Sequence, residues 1–240
     1  MQAKEFFLTK LEESHDFQKG EISILDLGSG QSKNFLPFLG RHPHTRYVGV
    51  EPSEADARVA RMLLAPFPNA RVHTQLAYEP LIDETPFDVV LSLSVLEHVK
   101  RLEHFLANSV AMAKTGGRII HRYDLGHALH PSSWKERLQV FLGNHVPFVL
   151  PEHKFVRYVD PEEVRTMLQR HGARVTAITQ HQMPNHKEFL KYFPTNTGDM
   201  EQLSISLLEW ESAVAPHLAG IPKKIRERLF PSICVWAVKE

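Results

Sequence analysis

The sequence holds a single cysteine, Cys234. No intramolecular disulfide can form, so the stapled scaffolds of small secreted domains are excluded. Neither sign of charge is in excess, since 28 Lys and Arg balance 28 Asp and Glu. A chain with no basic surplus argues against broad electrostatic capture of nucleic acid. No apolar run approaches the roughly 20 residues of a membrane span. The opening MQAKEFFLTKLEESHDF is too charged for a signal peptide. Internal repeats and low-complexity tracts are also missing. Together these absences point to a soluble chain in a reducing, cytoplasmic setting.

What is present is ordinary globular composition, 42% apolar and 23% charged. The length suits one domain, 1–240, that can bury its core without covalent help. The first half alternates. Ile22 to Leu27 reads as a buried strand ending at Gly28. Ser32 is the expected cap of a short helix bent by Pro37. Arg46 to Val50 is a second buried strand. Ser53 caps a helix running to Leu64, with Asp56 three residues on. Ala70 to Thr74 and Phe87 to Ser94 are further strands. A helix follows from Leu102 to Lys114, closed by Thr115-Gly116-Gly117, and Arg118 to Tyr123 is a fifth strand. Alternation of this kind means an α/β domain with a parallel sheet and right-handed crossovers. Residues 1–19 read as an amphipathic helix presenting Phe6, Phe7 and Leu11. In the second half, Trp134 to Leu142 is helical. Asp160-Pro161 starts a helix to His171, and Arg174 to Thr179 and Ile233 to Val238 are strands.

The chemistry concentrates at Asp26-Leu27-Gly28-Ser29-Gly30, where the first strand ends. Glycines there let the backbone turn sharply and approach a ligand. Glu51 ends the second strand about twenty residues on, where an acid can accept hydrogen bonds from ribose hydroxyls. An adenosine-type ligand follows from the pair. A dinucleotide fingerprint wants a third Gly, and Lys33 stands there instead. Asp26 would repel a pyrophosphate but suits an ammonium group, which points to S-adenosyl-L-methionine.

ILDLGSG, YVGVEPS, FDVVLSLSVLEHV and LANSVAMAKTGGRII, in this order, resemble the motifs of the class I S-adenosylmethionine-dependent methyltransferases, ubiquinone-biosynthesis type. The resemblance covers 20–125 well, and 155–180 and 232–239 more loosely. It implies a Rossmann-like, doubly wound seven-stranded sheet. That sheet is mostly parallel, with an antiparallel last strand beside the fifth and helical insertions acting as lids. By position it implies that Asp26, Gly28 and Gly30 hold the methionyl part and Glu51 the ribose. Pro52 and Ser53 would flank the adenine, with Leu76 and Ala77 offering backbone groups where the family commonly has an Asp. Ser92 and Ser94 would lie near the methyl group. The product would be S-adenosyl-L-homocysteine.

A hydroxyl acceptor usually needs a base, and His98 and His121 are the candidates. Glu97 beside His98 reads more as structural or positioning. Among His121, Tyr123 and Asp124 at the end of the fifth strand, at least one should line the pocket. Arg157-Tyr158 could hold an anionic acceptor or simply stack on the surface. Trp210 reads as helix-packing core and Cys234 as buried and inert. His127 and His130 lack the partners of a metal site, so no metal is expected. The segments 125–157 and 182–231 lie outside the 20–125 cofactor-binding core and carry Trp134, Phe141, Phe148, Phe155, Phe189, Tyr192 and Phe193. They are the expected acceptor-side lids, suited to a small amphiphilic or aromatic acceptor methylated on O or N. Two other readings stand beside this one: a non-catalytic cofactor-binding protein that kept the fold, and an NAD-dependent oxidoreductase.

Overall fold

The computed structural model describes residues 7–8, 11–13, 21–81, 83–84, 86–146, 149–151, 154–181, 183, 198–218 and 220–240. Its centre is a seven-stranded sheet in the order β3-β2-β1-β4-β5-β7-β6. The strands are β1 Ser23–Leu27, β2 Arg46–Val50, β3 Ala70–His73, β4 Phe87–Leu93, β5 Ala113–Asp124, β6 Ala173–His181 and β7 Ser232–Lys239. β1 pairs in parallel with β2 and β4, β2 with β3, and β4 with β5. β7 runs antiparallel between β5 and β6, as the resemblance implied.

The two faces of the sheet explain why these strands are continuous apolar runs. Leu25 and Leu27 of β1, Val48 and Val50 of β2, and Ile119 of β5 enter one core. That core is closed by helix residues Leu102, Phe105, Leu106, Val164 and Leu168. Their neighbours Ile24, Tyr47 and Ile120 enter the other, with Phe35, Phe38, Leu39, Ala57, Ala60 and Leu64. Side chains alternate faces along a strand, so two stacked layers of helix require apolar residues at every position. Each fully buried Leu, Ile or Phe contributes about 1.5–3 kcal/mol.

The helices are α1 Leu36–Arg41, α2 Glu54–Leu64, α3 Leu102–Met112, α4 Gly126–Leu129, α5 Trp134–His145, α6 Pro161–Arg170, α7 Gly198–Val214 and α8 Lys223–Leu229. Ser53 caps α2 by accepting from the Asp56 N–H, and Asp160 caps α6 by accepting from Glu162, with Pro161 in the first turn. Three local expectations are corrected. Ser32 makes no cap; it sits in the left-handed region with φ 56°, ahead of a 3-10 turn at Lys33–Phe35. Pro37 lies in the first turn of α1, where its missing N–H costs nothing, so it starts that helix rather than bending it. Thr115-Gly116-Gly117 is not a turn between helix and strand. Pairing starts at Ala113 with Phe87 and resumes at Arg118 with Val89, so the segment between bulges out of β5. Of the segment expected as an N-terminal helix, Phe7, Leu8 and Leu11 are buried in the second core; Phe6 and most of the segment lie outside the described residues.

Candidate active site

The carboxyl ends of β1, β2 and β4 meet around the glycine loop. Gly28 has φ +79°, and a Cβ there would lie 2.6 Å from Val95 Cγ2. The loop after β4 therefore packs directly against this turn, and only glycine satisfies both demands. Gly30 has φ +55°, and nothing lies within 4 Å of where its Cβ would be. The space beside the Gly30 backbone is thus open.

Glu51 is nearly buried, and the glycine loop holds it in place. Its Oε2 accepts from the Gly30 N–H at 2.9 Å and its Oε1 from the Ser53 N–H at 2.8 Å. Each oxygen keeps a further lone pair for an outside donor. Gln31 Nε2 donates to Asp56 Oδ1 at 2.8 Å, which ties the same loop to α2. Asp26 is buried one strand away, and the Tyr47 phenol lies 2.9 Å from its Oδ2. Two carboxylates on adjacent strands thus flank one turn.

The structure places the other predicted residues unevenly. Pro52 is exposed beside Ser53. Ala77 is buried and Leu76 half-buried. The carbonyl of Ala77 accepts from Asn108 Nδ2 at 2.8 Å and that of Leu76 from the Glu79 N–H at 3.0 Å. Asn108 thus fixes this loop from α3, a role that sequence reasoning missed. Ser94 lies just past β4 with φ 61°. Its N–H donates to the Arg122 carbonyl at 2.7 Å, and its Oγ accepts from Arg122 Nη1 at 3.2 Å. Arg122 thus holds both the backbone and the side chain of this left-handed serine, a conformation that costs a non-glycine residue.

His121 and Ser92 are corrections. Both are fully buried. Ser109 Oγ donates to the Leu106 carbonyl at 2.7 Å, so its oxygen accepts from His121 Nε2–H at 3.1 Å. His121 Nδ1 then accepts from Ser92 Oγ at 2.9 Å. Burial pushes the imidazole down to about 3, so the ring is neutral and closed off beneath α3. It is no general base, and the Ser92 side chain turns away from the crevice. The neighbours of His121 follow suit. Tyr123 is fully buried and Asp124 accepts from the Gly126 N–H at 2.7 Å, which starts α4.

His98 is placed differently. It is half-buried, and its Nδ1–H donates to the Phe155 carbonyl at 3.0 Å. That bond fixes the ring and leaves the lone pair on Nε2. Glu97 is buried and its Oε1 accepts from the Asp124 N–H at 3.2 Å, joining the ends of β4 and β5. Desolvation raises its carboxyl above the usual range, with His98 opposing. Arg157 is engaged with Glu163 at 3.0 Å, and Tyr158 donates to Glu227 at 2.9 Å, so neither is held out for an anion. Cys234 is buried, its thiol pushed up to about 12. Trp210 is half exposed rather than core, as are Phe141 and, more so, Trp134. Phe148, Phe189, Tyr192 and Phe193 lie outside the described residues. Among the described residues no three His, Cys, Asp or Glu side chains gather as metal ligands, and no helix is long and apolar enough to cross a membrane.

This arrangement has relatives. The model of a methyltransferase domain matches residues 2–178, and the chain belongs to that family. The ubiquinone biosynthesis O-methyltransferase of Maricaulis maris is 31% identical over 162 residues, covering 65% of this chain and 60% of that protein. The mitochondrial enzyme of the same description from Homo sapiens is 26% identical over 168 residues, covering 65% of this chain and 42% of its own. The chain thus spans from about two fifths to three fifths of these relatives' lengths. Among solved structures, a geranyl diphosphate C-methyltransferase from Streptomyces coelicolor A3(2) in complex with S-adenosyl-L-homocysteine superposes with a TM-score of 0.62 at 13% identity. It covers 98% of this chain and 79% of that one. That likeness is one of fold.

Proposed function

We propose that the protein transfers a methyl group from S-adenosyl-L-methionine to a hydroxyl of a small aromatic molecule. The observation that carries the reading is the pair of carboxylates, Asp26 and Glu51, around a left-handed glycine loop. The residues fit the cofactor. Glu51 already accepts one N–H on each oxygen and keeps lone pairs for the ribose hydroxyls. Asp26 offers a buried anion for the methionyl ammonium, and the bare Gly30 backbone leaves room for the tail. Pro52, Ser53 and the N–H groups of Leu76 and Ala77 would border the adenine. A dinucleotide is less well served, because the Gly30 N–H is engaged by Glu51 and α1 begins only at Leu36.

When bound, the cofactor supplies an electrophilic methyl on a cationic sulfur, and its leaving thioether needs no acid. The protein's task is alignment at about 3–3.5 Å and exclusion of water. His98 takes the acceptor's proton at Nε2 while the Phe155 carbonyl steadies Nδ1–H. Ser94 and Val95 border the transfer path beside Gly28. Of the acceptor-side insertions 125–157 and 182–231, the described residues Trp134 and Phe141 expose apolar surface for the acceptor, whereas Phe155 is fully buried. The hydroxyl preference rests on His98 and on the O-methyltransferase relatives. A cytoplasmic setting and a small-molecule acceptor, rather than nucleic acid, complete the reading.

The test is release of S-adenosyl-L-homocysteine with a panel of phenols, catechols and aromatic amines. Acceptor-dependent release with a phenol or catechol, lost in Asp26→Asn, is expected. Release only with amines would overturn the hydroxyl assignment, and release that survives Asp26→Asn would overturn the site.

A further inference from the structure

We infer that Tyr47 and Ser32 are positioning residues that hold the Asp26 carboxylate for the amino-acid end of the cofactor. This rests on the cofactor reading given above. Tyr47 projects from β2 into the second core and is fully buried. Its Oη lies 2.9 Å from Asp26 Oδ2 and 3.1 Å from Ser32 Oγ. A phenol has one proton, and the carboxylate is the stronger acceptor. Tyr47 therefore donates to Asp26, and its oxygen accepts from the Ser32 hydroxyl. The three groups form a directed chain, serine to tyrosine to carboxylate, in which each bond strengthens the next.

The chain is built, not incidental. Ser32 is buried, with φ 56° and ψ 11°, a conformation that costs a non-glycine residue. Its N–H donates to the Ser29 carbonyl at 3.0 Å and its carbonyl accepts from Phe35 N–H at 3.0 Å. Those bonds lock Ser32 at the exit of the glycine loop. The Tyr47 ring is fixed against Phe35, centroids 4.9 Å apart. Burial and the neighbouring Asp26 push the phenol well above its ordinary range. Tyr47 is thus a permanent donor, and it constrains the rotation of a carboxylate whose direction decides where an ammonium can bind.

The selective consequence separates positioning from mere packing. Tyr47→Phe keeps the ring and removes the hydroxyl. Binding of S-adenosyl-L-homocysteine, which carries the amino-acid tail, should weaken about tenfold or more. Binding of 5′-methylthioadenosine, which lacks the tail, should change less than about twofold. Ser32→Ala should give the same selectivity at about two- to threefold. The experiment is calorimetric titration of wild type, Tyr47→Phe, Ser32→Ala and Asp26→Asn with both ligands, folding being checked by circular dichroism. Loss confined to the tailed ligand supports the inference. Equal loss for both ligands, or no loss, overturns it. Should Tyr47→Phe not fold, Ser32→Ala carries the same comparison. If wild type binds neither ligand, the cofactor reading itself fails, an outcome distinct from a wild type that binds both and variants that do not discriminate.

Discussion

Acidification should weaken the fold through His121, and the size of the effect follows from its burial. In the folded chain the ring is held neutral, with its pKa moved from the ordinary 6.5 to about 3. Between those values the unfolded chain binds a proton that the folded chain refuses. Stability is therefore fully present above about pH 6.5 and is lost as pH falls toward about 3. A pH of 5 lies about 1.5 units below the ring's unfolded pKa. At about 1.4 kcal/mol per unit, that removes about 2 kcal/mol. A domain of ordinary stability, about 5–15 kcal/mol, would register this clearly. The assay is urea unfolding followed by circular dichroism at pH 8 and pH 5, for wild type and His121→Gln. The variant starts less stable by about 1–3 kcal/mol, since the hydroxyl of Ser92 loses its acceptor geometry. Its further loss on acidification should be smaller than that of wild type by about 2 kcal/mol. Equal losses in the two proteins would refute the burial argument and return His121 to the list of accessible bases.

Three more outcomes are expected. Gly28→Ala sets a Cβ against Val95 in a left-handed backbone; thermal unfolding should show a loss of about 1–3 kcal/mol, and homocysteine-ligand affinity should fall at least about tenfold. His98→Gln should lower the rate of methyl transfer by about 10²–10⁴-fold while leaving S-adenosyl-L-homocysteine affinity unchanged, as steady-state kinetics and calorimetry would show. Asp88 accepts from both Ser23 and Lys114, and these bonds hold its carboxyl below the usual range. Its contribution is present above the unfolded carboxylate value and lost as pH falls below it. Asp88→Asn should therefore flatten the acid limb below about pH 4 by no more than about 1 kcal/mol after solvent screening, read from the acid-unfolding midpoint.

The sheet was legible because its strands are short apolar runs bounded by turn residues. Arg46–Val50 is the clearest case, matching β2 residue for residue. The carboxylate pair was legible because Asp26 and Glu51 are charged residues in or at the end of otherwise apolar strands. What stayed hidden depends on which face a side chain takes. In β5 both faces are buried, so nothing in RIIHRY tells that Ile119, His121 and Tyr123 share the side under α3 while Ile120 and Arg122 take the other. His121 was misplaced for that reason. Tyr47 was hidden likewise. One phenol in an apolar strand reads as packing until the register sets β2 beside β1 and brings its hydroxyl to Asp26. Ser32 resembled a cap because sequence spacing carries no sign of φ. The bulge in β5 escaped because Gly116-Gly117 after a helix reads equally well as its end.

The central claim is that the crevice at Asp26, the glycine loop and Glu51 binds a sulfonium nucleoside. Calorimetric titration of the folded protein with S-adenosyl-L-methionine, S-adenosyl-L-homocysteine and NAD tests it directly. Binding of both sulfur ligands in the micromolar range, abolished in Glu51→Ala and without measurable binding of NAD, is the result expected here. Tight NAD binding, or sulfur-ligand binding that survives loss of both carboxylates, would contradict it.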